Sequence, residues 1–133
     1  MKQVLQPAGW ALPRGYANGV ATEGRQVHVA GQIGWNARCE FDSDDFVAQV
    51  RQALSNVVAV LAEAGARPEH IVRMTWYVTD KREYLARGKE VGAAYRELIG
   101  RRYDVAMTAV QVSALMEDRA QVEIEVTAVI PPA

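Results

Sequence analysis

The stretch Asp44-Asp45-Phe46-Val47-Ala48-Gln49-Val50-Arg51-Gln52-Ala53-Leu54-Ser55-Asn56-Val57-Val58-Ala59-Val60-Leu61-Ala62-Glu63-Ala64 decides the fold, together with Ile71-Val72-Arg73-Met74-Thr75-Trp76-Tyr77-Val78-Thr79 just after it. In the first, Val47, Val50, Leu54, Val57, Leu61 and Ala64 recur at three- and four-residue steps, the single apolar stripe of a helix over 44–64. Ser43, Asp44 and Asp45 offer capping oxygens and negative charge at its positive end, and Gly65 is a natural stop. The second stretch is rich in β-branched and aromatic side chains, which suit a pleated, half-buried strand. Pro68-Glu69-His70 makes the turn between them.

Downstream, a second helix over about 82–99 places Tyr84, Leu85, Val91, Tyr95, Leu98 and Ile99 inward and ends before Gly100. Two closing strands follow, about 106–114 and 120–130. Upstream, Val20-Ala21-Thr22 and Gln26-Val27-His28-Val29-Ala30 flank Glu23-Gly24-Arg25, which reads as a three-residue hairpin loop with glycine supplying positive φ. Residues 7–16, with Pro7, Gly9, Pro13 and Gly15, read as irregular chain. The order β-β-α-β-α-β-β is that of an α+β protein, one domain over 1–133.

Two helices with one-sided stripes pack on one face of one sheet. The other face is then left over. Met74, Trp76 and Val78 oppose Tyr77, and Ala106 and Val110 oppose Met107 and Ala109, so both faces carry apolar groups. A patch of that size is unusual on a monomer, and symmetric self-association would cover it.

Fifteen basic and sixteen acidic side chains leave a net charge of −1. That balance disfavours nucleic acid as a partner, since bulk binding needs a basic face to displace counterions. Cys39 is the only cysteine, which fits a reducing, cytoplasmic setting. Met1 to Pro7 hold no apolar run of signal-peptide length, and no eighteen consecutive apolar residues occur, so no membrane association is expected. Metal and cofactor are not expected either. His28, His70 and Cys39 lack zinc-ligand spacing, and Asp42-Ser43-Asp44-Asp45 begins like a calcium loop but lacks the later ligands. Gly31-Gln32-Ile33-Gly34 is no nucleotide fingerprint.

Four segments in order resemble the reactive intermediate deaminase (RidA, YjgF-type) family. They are Gly15-Tyr16-Ala17-Asn18-Gly19-Val20, Val29-Ala30-Gly31-Gln32-Ile33, Gln49 to Val57 leading through Ala64-Gly65 to Ile71, and Val122-Glu123-Ile124-Glu125-Val126-Thr127-Ala128. The similarity runs from about residue 10 to 130. It implies a chorismate-mutase-like fold, with two helices on one face of a mixed sheet. It also implies a homotrimer whose sheets meet as a central barrel, with three clefts between subunits. The resemblance further implies cofactor-free hydrolysis of short-lived enamines and imines to 2-oxo acids and ammonia. In such members an arginine holds the substrate carboxylate, and a glutamate near the chain end works with a tyrosine to position water.

Tyr16 and Glu123 match that tyrosine and glutamate, which makes them the candidate catalytic residues. As a strand carboxylate Glu123 would otherwise pass for a solvated surface group. The stretch that holds Pro-Ala-Arg-Ser in deaminating members aligns here with Val105-Ala106-Met107-Thr108, so Met107 stands in place of the arginine. A charge-assisted hydrogen bond is worth about 1.5–3 kcal/mol, and a thioether supplies none. Its loss weakens a small 2-imino acid by about ten- to a hundredfold or more. Ala109 stands where cysteine is common, Ala30 where serine is common, and Gly92 where some members carry asparagine.

The binding set is thus Ala30, Gly31, Gly92, Met107, Thr108 and Ala109, with Arg14 as a possible substitute cation. Trp10, Trp35, Trp76, Met74 and Met107 are available as apolar walls, although large aromatics more often serve core or interface packing. Three readings stay open. One is an imine or enamine hydrolase for a substrate larger or less acidic than 2-aminoacrylate. Another is a non-catalytic binder of a small ligand. The third is the ribonuclease or translation-inhibitor activity with which some relatives were labelled.

Overall fold

The computed structural model describes residues 2–133. Its elements are β1 (Gln3–Val4), β2 (Val20–Ala21), β3 (Arg25–Ile33), α1 (Phe46–Glu63), β4 (Ile71–Val78), α2 (Lys81–Ala86), α3 (Gly88–Leu98), β5 (Ala106–Gln111) and β6 (Val122–Ile130). A 3₁₀ turn over Pro68–His70 precedes β4.

The main sheet has the order β3-β6-β4-β5. Strand β6 is antiparallel to both β3 and β4, while β4 and β5 are parallel, so the sheet is mixed. Strands β3 and β4 therefore run parallel on either side of β6, and α1 is the crossover that makes this possible. Helices α2 and α3 make the second crossover, from β4 to its parallel neighbour β5.

Helix α1 starts where the carboxylate of Asp45 accepts a hydrogen bond from the Ala48 amide at 3.0 Å, and Gly65, at φ +74°, lets the chain leave it. Val50, Ala53, Leu54, Val57 and Leu61 are fully buried against Ile71, Met74, Val122, Ile124 and Ala128 of the sheet. At such a position a leucine-to-alanine change costs about 2–5 kcal/mol. A polar residue, Gln49, is buried at the start of this helix. Gln49 donates to the Ser43 and Arg119 carbonyls and accepts from the Gln121 amide, which satisfies it and ties the start of α1 to the loop before β6. A Cβ at Gly34 would overlap Gln49, so glycine is required there.

The α+β architecture and the mixed sheet are as expected, with three differences. The second helix is two, α2 and α3, meeting at Arg87. The Arg87 guanidinium binds Asp45 at 2.6 Å and Glu90 at 2.7 Å, so an ionic cluster fixes a corner where apolar spacing suggested a continuous rod. Next, Val20–Ala21 does not form a hairpin with the 26–33 strand. It pairs with β1, Val4 opposite Val20, and β3 pairs with β6 along its length instead. Gly24 does have positive φ (+144°), but because its Cα lies against the Ile130 carbonyl, where a Cβ would clash. Finally, β5 ends at Gln111 rather than 114, since its partner β4 ends at Val78.

All the helices lie on one face. The open face carries Arg73, Thr75 and Tyr77 of β4 beside Thr127, Glu125 and Glu123 of β6, with Ala106, Thr108 and Val110 of β5. It is more polar than the sequence suggested. Tyr77 donates to the Glu125 carboxylate at 2.5 Å, and this bond pushes the Tyr77 hydroxyl above its ordinary value. No helix among the described residues is long and apolar enough to cross a membrane.

Candidate functional site

On the helix side of the sheet, where β5 forms its edge, a cleft of about 440 Å³ opens between three pieces of chain. The first is the loop Arg14-Gly15-Tyr16. It is held in place because Ala17 bridges to Ala106, with the Ala17 amide donating to the Val105 carbonyl at 2.8 Å. Gly15, at φ +79°, makes the bend between the two cleft-lining side chains. The second piece is the α2–α3 corner, which contributes Tyr84, Leu85, Gly88, Val91, Gly92 and Tyr95. The third is the sheet, with Trp76 of β4 and Met107 and Ala109 of β5, closed off by Tyr103.

The walls are aromatic. Tyr84 meets Trp76 edge-on at 6.0 Å between centroids, and Tyr95 stacks on Tyr103 at 5.7 Å. Burial raises the hydroxyls of both Tyr84 and Tyr95 above their ordinary values, with Asp104 adding to the effect at Tyr95, so both stay neutral near pH 7. The Trp76 indole N–H and the Tyr95 hydroxyl are buried without a hydrogen-bond partner among the described residues. Arg14 is the only charged side chain in the lining, and it makes no ion pair among the described residues. A Cβ at Gly92 would come 3.1 Å from the Arg96 guanidinium, a movable chain end, so glycine chiefly widens the cleft.

Of the residues singled out in the sequence, Arg14, Tyr16, Gly92, Met107 and Ala109 thus meet in one place. The others do not. Thr108 follows Met107 on a strand and points the opposite way, to the open face, in register with Thr75. Glu123 is also on the open face, in register with Tyr77, its carboxylate lying over Gly31 so closely that a Cβ there would overlap it. Ala30 lines a separate depression on that face with His28, Arg73, Thr75, Glu125 and Thr127. Within a single chain, Tyr16 and Glu123 are on different surfaces.

Among the candidate apolar walls, Trp76 and Met107 serve the cleft and three residues do not. Met74 is buried in the core, Trp35 packs on Phe41 at 5.9 Å, and Trp10 is 61% exposed. Tyr84, Val91 and Tyr95 were legible as an inward stripe, but the cleft they line was not. Leu85, expected inside, is exposed at its lip. The available signal was Gly88 and Gly92, four residues apart on the face that also carries Tyr95, where missing side chains leave room. Among the described residues, no three His, Cys, Asp or Glu side chains gather as a metal site would require.

The family model described as Endoribonuclease L-PSP matches residues 10–130. A RutC family protein from Aquifex aeolicus is 31% identical over 132 residues, covering 97% of this chain and 99% of that one. The 2-iminobutanoate/2-iminopropanoate deaminase of Escherichia coli K12 is 32% identical over 116 residues, 86% of each chain. The crystal structure of YyfB from Yersinia pestis, a conserved Rid-family protein of unknown function, superposes with a TM-score of 0.80 at 32% identity, covering 97% of this chain and 98% of that one. With a family model spanning nearly all of its length and relatives matched end to end, this chain belongs to the Endoribonuclease L-PSP family, the family of the YjgF, RidA and RutC proteins.

Proposed function

We propose that the protein is a cofactor-independent hydrolase of enamines or imines, acting in a homotrimer on a substrate larger or less acidic than 2-aminoacrylate. The observation that carries this reading is that Met107, which takes the place of the family's carboxylate-binding arginine, shares its cleft with Tyr16. The pocket is kept and its cation removed. In the reaction, water oxygen bonds to the imine carbon and the carbon–nitrogen bond breaks, leaving a ketone and ammonia with no change in oxidation state. Glu123 takes the two water protons in turn, first on attack and then from the carbinolamine hydroxyl, and passes each to the departing nitrogen, which Tyr16 orients by a hydrogen bond.

That division of labour requires two copies of the chain, because Glu123 lies on the sheet face away from the cleft. The uncovered open face, with Val110 41% exposed, favours assembly through it. Glu123, Gly31, Ala30 and Thr108 of one copy would then complete the cleft of the next.

The test is to generate a panel of imines with amino-acid oxidases and trap them with semicarbazide. A hydrolase diverts at least one imine to ketone and lowers semicarbazone yield. If no imine is diverted, the reading is wrong. A non-catalytic ligand-binding protein is the second reading, favoured by the loss of the arginine from a cleft that stays open and aromatic. A ribonuclease role comes third, because the net charge is −1 and the cleft offers one cation.

A further inference from the structure

The cleft's size, its wall and its charge point to one ligand class. In the single chain the cleft measures about 440 Å³, within the range of small-molecule sites. Tyr84, Tyr103 and Met107 are half-buried and present surface to the cleft, the Met107 thioether being a polarizable contact suited to an aromatic ring, while Trp76 and Tyr95, 1% and 4% exposed, form its floor. Among the described residues no carboxylate lines the cleft, so no formal negative charge there draws in a cationic ligand. Arg14, two residues from Tyr16, is left to meet an anion.

We propose that the cleft is specific for 2-imino acids with an aromatic side chain, the ring held by Tyr84, Tyr103 and Met107 over the Trp76 floor and the carboxylate by Arg14. The cationic anchor is thus moved from the sheet to the N-terminal loop. This deepens the hydrolase reading, on which it rests for the reacting carbon, while the binding part stands apart from turnover.

Calorimetry with stable 2-oxo acids tests it without catalysis. Phenylpyruvate, 2-oxobutanoate, the neutral ketone 4-phenylbutan-2-one and phenethylamine are each titrated into the full-length protein and into Arg14→Gln. Burying the ring should make phenylpyruvate bind about ten- to a hundredfold tighter than 2-oxobutanoate. Arg14 is exposed, so its substitution leaves the core untouched and should weaken phenylpyruvate about five- to tenfold while leaving 4-phenylbutan-2-one unchanged. Equal affinity for the two oxo acids overturns the aromatic assignment. Unchanged phenylpyruvate affinity in Arg14→Gln, or tighter binding of phenethylamine, overturns the anchor. Failure of the hydrolase reading looks different: no imine is turned over, whatever the order of affinities.

Discussion

Met107 and Glu123 lie on opposite faces of one sheet. Met107 is in register with buried Met74 on the side the helices cover, and Glu123 is in register with Tyr77 on the side they leave open. Met107, proposed to stand in place of the family's anchor, and the proposed water-activating carboxylate cannot meet inside one chain, and any chemistry that uses both is chemistry between copies.

Restoring the anchor should restore the small substrate. Met107→Arg places a guanidinium in the cleft beside Tyr16, and one charge-assisted hydrogen bond at about 1.5–3 kcal/mol corresponds to about ten- to a hundredfold in kcat/KM. The measurement is semicarbazide competition with the imine of 2-aminobutyrate. Without any gain, the cleft is not the pocket that the arginine serves in relatives.

Mixing variants should rescue activity. Tyr16→Phe and Glu123→Gln each remove one of the proposed catalytic groups and should each lose about 10²- to 10⁴-fold on a confirmed substrate. Unfolded and refolded together, the two variants should form some clefts with both native residues and regain a measurable fraction of activity. A mixture no better than its parents would assign both groups to the same copy or to neither.

Tyr95 offers a stability test. Its hydroxyl is buried, at 4% residue exposure, without a hydrogen-bond partner among the described residues. Removing an unsatisfied buried polar group is neutral or favourable, so Tyr95→Phe should hold or raise stability by up to about 1 kcal/mol in urea unfolding. A loss above about 1 kcal/mol would show that the hydroxyl has a partner, in the cleft or across an interface.

Arg87 makes the α2–α3 corner sensitive to acid. Its hydrogen bonds hold the carboxyls of Asp45 and Glu90 below their ordinary values. Depressed carboxyls stabilise the fold above their unfolded values of about 4, and that contribution is lost as pH falls through the folded values. Arg87→Gln should therefore melt below the parent at neutral pH, with the gap closing below about pH 4. The cluster is largely exposed, so the effect is modest and shrinks in salt. A gap that persists unchanged in acid would assign the corner to packing instead.

Much of this was legible in the residues and some was not, for physical reasons. The stripe from Val47 to Leu61 needs only local periodicity, and α1 is where the sequence puts it. The pairing of Val20 with Val4 and of Val29 with Val126 is not local, and nothing in a hairpin-like loop at Gly24 reveals that β6 will take β3 as its partner. The break at Arg87 rests on side-chain charges from two helices, which apolar spacing does not register. At the site, strand alternation alone separates Met107 from Thr108, so part of the division between the two faces could be read in advance. That Tyr84, Tyr95 and Tyr103 turn a core stripe into a cleft wall depends on the emptiness left by Gly88 and Gly92, which only the fold displays.

The central claim is that adjoining copies complete one another's cleft, and a crystal structure of the protein in its solution assembly measures this directly. The account predicts that the Tyr16 hydroxyl of one copy and the Glu123 carboxylate of its neighbour face each other across the cleft within about 8 Å, close enough for one substrate and one water to bridge them. An assembly in which every Glu123 stays remote from every Tyr16 and Met107, or a protein that crystallises and sediments as a monomer, would contradict it.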